Sequence, residues 1–294
     1  MSTLRTEVQF TESKPESYLS RVTKRFLKHK LAIIGLISVG SIVIFSFIVP
    51  LFFEYGSTFS DFSYLYGSPN SQYLLGTDSM GHDLFTRLMY GGRISLIVGF
   101  SAAIIPAIFG IIVGAVAGYY GGLADNILMR ITDAFLSVPA FPIYMALAKL
   151  MGQGVLNIIL VFSFLGWMTN ARIVRGMYLS LKENEYTEAA KAIGVSNARI
   201  IFRHLLPNTM APILVSMTLT VGGAILSEAG LSFLGLGVPP STPTWGNMLT
   251  NSQQDIFLAP RLVIWPGIMI FLTVLSFNFI GDGLRDALDP KLYR

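Results

Sequence analysis

Few side chains in this sequence are of a type and spacing that do chemistry. The candidates are Glu228, inside a long apolar run, Asp282 between two glycines, and three histidines, His29, His82 and His204; cysteine is absent. Gly281-Asp282-Gly283 invites comparison with intramembrane aspartyl proteolysis, but that chemistry needs two carboxylates sharing a proton, and a helix-ending turn explains the triplet better. The histidines are scattered without ligand spacing, and the lack of cysteine excludes disulfides and thiolate metal sites, so no metal site is supported. There is no Gly-rich phosphate loop, no His-Glu-x-x-His and no Gly-x-Ser-x-Gly, so nothing points to hydrolysis of ATP, peptide or ester by this chain. What remains is the chemistry of contact, in the polar stretch from Tyr186 to Asn208. Tyr186, Ala189, Ala190 and Ile193 fall at i, i+3, i+4 and i+7, one stripe of a helix, with Glu185, Glu188 and Lys191 off it. Gly194 supplies a left-handed closing residue, and Ser196 caps a second short helix that runs to Leu206 and stops at Pro207. The pattern alone fits a surface that docks another chain and an amphipathic connector on a membrane equally well.

The elements that must position this stretch are membrane spans. In 294 residues, 52% are hydrophobic and 13% charged, and the mean hydropathy is +0.59, too apolar for a soluble domain. A helix needs about 20 apolar residues to cross the hydrocarbon layer, and the sequence predicts six such runs, at 31–53, 94–117, 134–151, 155–171, 211–236 and 262–280. The third and fourth are shorter, carry Pro139 and Pro142, and meet at Gly152-Gln153-Gly154. The expected fold is an all-α membrane bundle over residues 31–282, between a tail at 1–30 and a tail at 283–294, with an external segment at 54–93 and an inner loop at 172–210. Most of the 21 Lys and Arg lie in the two tails and that loop, whereas the large external segments hold only Arg87, Arg93 and Arg261. Retention of positive charge inside then places both termini in the cytoplasm. The net charge of +4 reflects this topology and does not argue for nucleic acid. The first apolar run starts too late and is too long for a cleaved signal, so it is expected to remain as a span.

The remaining charges have structural readings. Asp83 and Arg87 stand at i, i+4, and Leu84, Leu88 and Ile94 suggest a helix lying along the outer face. Arg130 and Asp133 are expected to pair with each other, and Asp282, Arg285 and Asp286 form a short cluster. Glu228 is costly in lipid, so it either braces the outer loop beginning at Gly237 or faces a polar path. Gly110, Gly114, Gly222 and Gly223 permit close packing, expected against a second chain, and Trp167, Trp245 and Trp265 are expected at the headgroups. No internal repeat supports a secondary transporter.

Glu188-Ala189-Ala190, Gly194 and Leu206-Pro207, at their spacing, resemble the EAA loop of permease subunits in binding-protein-dependent ABC importers. Leu75-Gly-Thr-Asp-Ser-Met-Gly-His-Asp83 with Arg87 and Tyr90-Gly-Gly-Arg93 is similar to the segment that marks the C-type permease subunit of dipeptide and oligopeptide importers. So are Glu228 to Gly237 and Asn278 to Pro290, and the likeness runs from about Arg21 to Lys291. Two positions depart from the usual pattern: His204 stands where Ile is frequent, and His82 where Arg is frequent. The resemblance implies a type I, MetI-like importer bundle whose coupling helix sits in a cleft of a cytoplasmic ATPase. Tyr186, Glu188, Ala189, Ala190, Gly194, Leu206 and Pro207 would carry that coupling. Gly76, Asp78, Asp83, Arg87 and Arg93 would form an external scaffold, and Glu228 and Asn278 would lie on the pathway or gate. It implies a homologous second permease, two ABC ATPase subunits, an external peptide-binding protein and membrane lipid as partners. ATP and Mg would be used by the ATPases, with no cofactor on this chain. Nickel or another small solute is the alternative cargo.

Overall fold

A computed structural model describes residues 18–53 and 56–288. Eleven α-helices are described: α1 (Tyr18–Lys28), α2 (Lys30–Val43), α3 (Leu84–Tyr120), α4 (Gly122–Leu136), α5 (Ala140–Met151), α6 (Val155–Leu181), α7 (Glu185–Ala192), α8 (Asn197–Arg199), α9 (Leu206–Phe233), α10 (Trp245–Asn251) and α11 (Arg261–Leu288). A π-helical turn at Ile44–Ile48 and a 3₁₀ turn at Val49–Phe52 extend α2, and a second π turn, Ile200–Leu205, joins α8 to α9. Five helical segments among the described residues are long and apolar enough to cross a membrane, and six if the bent pair α4 and α5 counts as one span. The only β pairing among the described residues is two isolated bridges, Ser60 with His82 and Thr77 with Asp83. Residues 1–17 of the basic tail and 289–294 of the C-terminal tail lie outside the described residues.

The bundle is built on close contact of α3 with α6, while α11 packs between α2 and α9. Small residues set the first seam: a Cβ added at Gly114 would come within 2.7 Å of the Val174 Cβ and strike the Ala171 carbonyl. Gly110 likewise meets Trp167 and Asn170, and Gly222 meets Val274. These glycines therefore serve helix packing within the chain, where the sequence had pointed to a second chain. Gly114→Val is expected to overpack the seam and cost about 1–3 kcal/mol, read as a lowered melting temperature in detergent beside an unchanged Gly223→Ala control, since Gly223 has open space around it.

The helices overrun the apolar runs that announce them. The second crossing belongs to a helix that starts at Leu84, with Leu84 and Leu88 buried, so the helix expected along the outer face is the first part of α3. The stretch predicted as a third span at 134–151 is broken at Ser137–Pro139, where α4 and α5 meet at 88°. Pro207 does not stop a helix. It sits in the first turn of α9, where its missing N–H is tolerated, and the path from Asn197 to Phe233 is continuous through the π turn. Trp245 is fully buried, with its indole N–H on the Leu88 carbonyl at 3.0 Å, not at a headgroup surface.

Candidate functional site

At one end of the bundle the last turns of α3 and α6 and the start of α9 carry a compact knob made by α7 and α8. Asn184 leaves α6 with extended backbone (φ −76°, ψ 145°) and starts α7. Thr187 turns inward and donates its hydroxyl to the Leu181 carbonyl at 2.9 Å, which ties the knob to the end of α6. Ala190 is also buried, in an apolar cluster with Ala115, Val174, Tyr178, Ile200, Ile201, Leu205 and Ile213. A larger side chain there would lift α7 off the bundle. Gly194 (φ +79°) closes the helix: its N–H reaches the Lys191 carbonyl and that of Val195 the Ala190 carbonyl, both at 3.0 Å, the paired bonds of a Schellman motif. Tyr178, fully buried, donates its hydroxyl to the Ile201 carbonyl at 3.1 Å, steadying the π turn behind the knob. Glu185 and Glu188 in the first turn and Lys191 in the last oppose the helix dipole favourably.

The stripe expected from spacing is thus divided. Ala190 faces the bundle, while Tyr186 (42% exposed), Ala189 and Ile193 (81% exposed) form an outward apolar edge beside Glu188. Leu206 and Pro207 form the first turn of α9, beyond the π turn that follows the knob. Thr187 carries no sequence signal beyond its place in a first helical turn, and its role depends on where α6 ends.

At the opposite end, residues 56–83 fold over the start of α3. Gly76 (φ +81°) accepts the Leu84 N–H at its carbonyl, 3.0 Å away. Asp83 caps α3 through the Thr86 N–H (3.0 Å) and hydroxyl (2.6 Å), and does not pair with Arg87. Arg87, nearly buried, reaches Asp78 at 3.2 Å, His82 Nδ1 at 2.8 Å and the Pro240 carbonyl at 3.4 Å. Asp78 also accepts the Met80 and His82 N–H groups at 2.9 Å, so one carboxylate organises the turn. Arg93 lies over the rings of Tyr90 and Phe47, 5.1 and 5.6 Å from their centroids. Asp61 and Tyr66, unmarked by any motif, complete the scaffold: Asp61 accepts from Ser63 and, at 2.9 Å, from Tyr73, and Tyr66 donates to Asp255 at 2.8 Å.

The hydroxyl of Ser63, then that of Tyr73, holds the Asp61 carboxyl below its ordinary range. A lowered folded-state value stabilises the fold above the ordinary carboxylate range, and that contribution is lost as pH falls through the lowered value. Asp61→Asn should therefore melt below wild type at about pH 6, with the gap narrowing as pH falls below the ordinary carboxylate range.

Glu228 and Asn278 are not brought together. Glu228 is fully buried, accepting from Ser232 (2.7 Å) and Thr244 (2.9 Å). Thr244 begins α10 with a reciprocal capping box to Asn247, so its bond to Glu228 fastens α10 to α9. Asn278 is exposed on α11, at the edge of an open apolar groove of about 580 Å³ lined by Leu226, Phe233 and Phe271 among others. Among the described residues, no group of three or more His, Asp or Glu is placed to hold a metal.

Comparison with known proteins matches residues 110–294 to the family described as binding-protein-dependent transport system inner membrane component, and residues 17–69 to the N-terminal TM domain of oligopeptide transport permease C. The dipeptide transport system permease protein of Alkalihalophilus pseudofirmus is 44% identical over 92% of this chain and 88% of its own. The oligopeptide transport system permease protein of Bacillus subtilis is 40% identical over 91% and 88%. A glutathione transport system permease protein of Pectobacterium atrosepticum is 39% identical over 92% and 90%. Among solved structures, a chain of the inward-facing MetNI methionine ABC transporter aligns with a TM-score of 0.53 at 18% identity, covering 69% of this chain and 96% of that one, a likeness of fold. The chain therefore belongs to the binding-protein-dependent transport system inner membrane component family and is a multi-pass permease of the bacterial inner membrane.

Proposed function

We propose that this chain is the C-type permease subunit of an ATP-driven importer of short peptides, with the α7 end and both termini in the cytoplasm. The observation that carries the reading is the α7 knob: an apolar edge of Tyr186, Ala189 and Ile193 held out by the closing turn at Gly194. Three neighbouring apolar side chains on one edge of a braced polar turn make a small surface that fits cover by a partner. That partner is a cytoplasmic ABC ATPase, one of a pair that binds ATP and Mg; this chain holds no cofactor. A second, homologous permease completes the path, because six helices of one chain offer little room for a large hydrophilic solute, and lipid covers the remaining apolar flank. The external scaffold around Asp78, Asp83 and Arg87 gives the outer face a fixed shape against which a binding protein delivers cargo. ATP shifts access only if the docked knob has different free energies in the inward and outward states. The names of the relatives favour dipeptides and oligopeptides. The test is uptake in a strain lacking this gene and then regaining it, across peptides of increasing length, glutathione and nickel. Restored uptake of peptides alone is expected; restored nickel uptake without peptide uptake would overturn the cargo assignment.

A further inference from the structure

The geometry points to α4 as a lever that α6 drives through two arginine–aspartate pairs, Arg175–Asp125 and Arg172–Asp133. This inference rests on the proposed importer function. The sequence had paired Asp133 with Arg130; instead both acids of α4 reach across to α6, 39 and 50 residues away. Arg175 grips Asp125 with a fork, Nε to Oδ1 at 3.0 Å and Nη2 to Oδ2 at 2.6 Å, and the Asp125 carboxylate is largely buried. Arg172 reaches one oxygen of Asp133 from Nε and Nη2, at 3.2 and 2.5 Å, in a more exposed pair. The two arginines lie within one turn of α6, while the two acids are two turns apart on α4. Two such points fix the angle at which α4 crosses α6, where a single point would leave it free to swivel.

Both ends of α4 are built to bend. It starts at Gly121 and Gly122, consecutive left-handed residues (φ +66° and +58°) with open space where a Cβ at Gly122 would stand. It ends at Ser137–Pro139, where the chain turns 88° into α5. Between these bends α4 packs chiefly on α3 and α6. Its outward stripe, Leu123, Ile127, Ile131 and Phe135 at i, i+4, i+8 and i+12, is exposed and would move with it. On the driving side, α6 runs unbroken from the arginines to Leu181, and Leu181 is the residue that Thr187 of the knob holds. Displacement of α7 therefore passes along α6 and reaches α4 as a rotation about its two bends. Asp125, Asp133, Arg172 and Arg175 are positioning residues in this scheme.

The test uses the complete complex, with its partner permease and ATPases, in proteoliposomes supplied with binding protein and peptide. Peptide moved per ATP hydrolysed is measured for wild type, Asp125→Arg, Arg175→Asp and the double swap. Each single reversal is expected to lower that ratio about tenfold, the scale of a modest coupling between sites, with assembly and ATP hydrolysis retained, and the swap is expected to return most of it. An unchanged ratio in the single variants, or a swap no better than either, would overturn the lever. If the reversals do not assemble, Arg175→Lys decides, since it keeps the charge and loses the fork: a lowered ratio supports the lever and an unchanged one overturns it. Wild-type complex without ATP-driven uptake would instead sink the importer reading, and the lever with it. Normal wild-type transport with insensitive variants removes the lever alone.

Discussion

Ile193→Asp is expected to lower ATP-driven uptake about a hundredfold, the size of losing a central contact at an interface, while the melting temperature of the purified subunit stays near wild type. The two halves of that expectation come from one fact, the 81% exposure of Ile193 beside the closing turn at Gly194. In the isolated subunit an exposed isoleucine makes few contacts to lose. In the assembled transporter the same side chain would sit in an apolar cleft, and a carboxylate there would be desolvated without a partner. Ala190→Leu makes the contrasting variant. Because Ala190 is buried against Tyr178 and Ile200, its enlargement should lower stability and uptake together. Uptake and melting temperature measured on both variants separate a docking edge from a packing position. Equal uptake by Ile193→Asp and wild type at equal expression would remove the docking role from this edge.

Arg87→Ala is expected to destabilise the fold by about 3 kcal/mol, the usual cost of leaving one member of a buried ion pair behind. Its guanidinium ties Asp78 to the Pro240 carbonyl, and so joins the segment before α3 to the loop before α10. Without it, the Asp78 carboxylate keeps its backbone donors but loses its cation, and the two outer segments lose their shared anchor. Arg87→Lys, which keeps a charge but lacks the planar fork, should recover part of the loss. Thermal unfolding in detergent measures both, and hydrogen exchange should show the earliest loss of protection in residues 61–83. An Arg87→Ala protein as stable as wild type would show that the outer scaffold does not depend on this anchor.

What was legible in the sequence was what depends on length and local backbone geometry. Apolar runs matched to bilayer thickness announced the long helices and Gly194 announced the closing turn of α7, whereas Pro139 lies inside one expected span, which the structure breaks there. Three kinds of feature escaped. Pairings between distant residues, such as Asp133 with Arg172 and Asp78 with Arg87, lost out to nearer i, i+3 and i, i+4 spacings, because helical spacing shows only what lies on one helix. The choice of Ala190 over Ala189 as the inward residue is a matter of rotational phase, set by how α7 is tied to α6 through Thr187. Context also inverted two composition rules: Pro207 lies at a helix start, where proline is accepted, and Trp245 is enclosed by α3 and α9 instead of marking a headgroup layer. Glu228 was balanced between brace and pathway on sequence grounds; what spacing could not show is that Ser232 and Thr244 both donate to its carboxylate and so tie α10 to α9.

The central claim, that the α7 edge is where this permease receives work from an ATPase, is tested most directly by cross-linking. The chain has no cysteine, so Ile193→Cys introduces a single thiol without background. In native membranes, a short thiol-reactive cross-linker at that position should join the permease to an ATP-binding subunit identified by mass spectrometry, with a yield that changes when ATP is trapped. The same cross-linker at Phe257→Cys, on an exposed turn at the opposite end, should not capture that subunit. Failure of Ile193→Cys to capture an ATP-binding subunit in a transport-active complex would contradict the account.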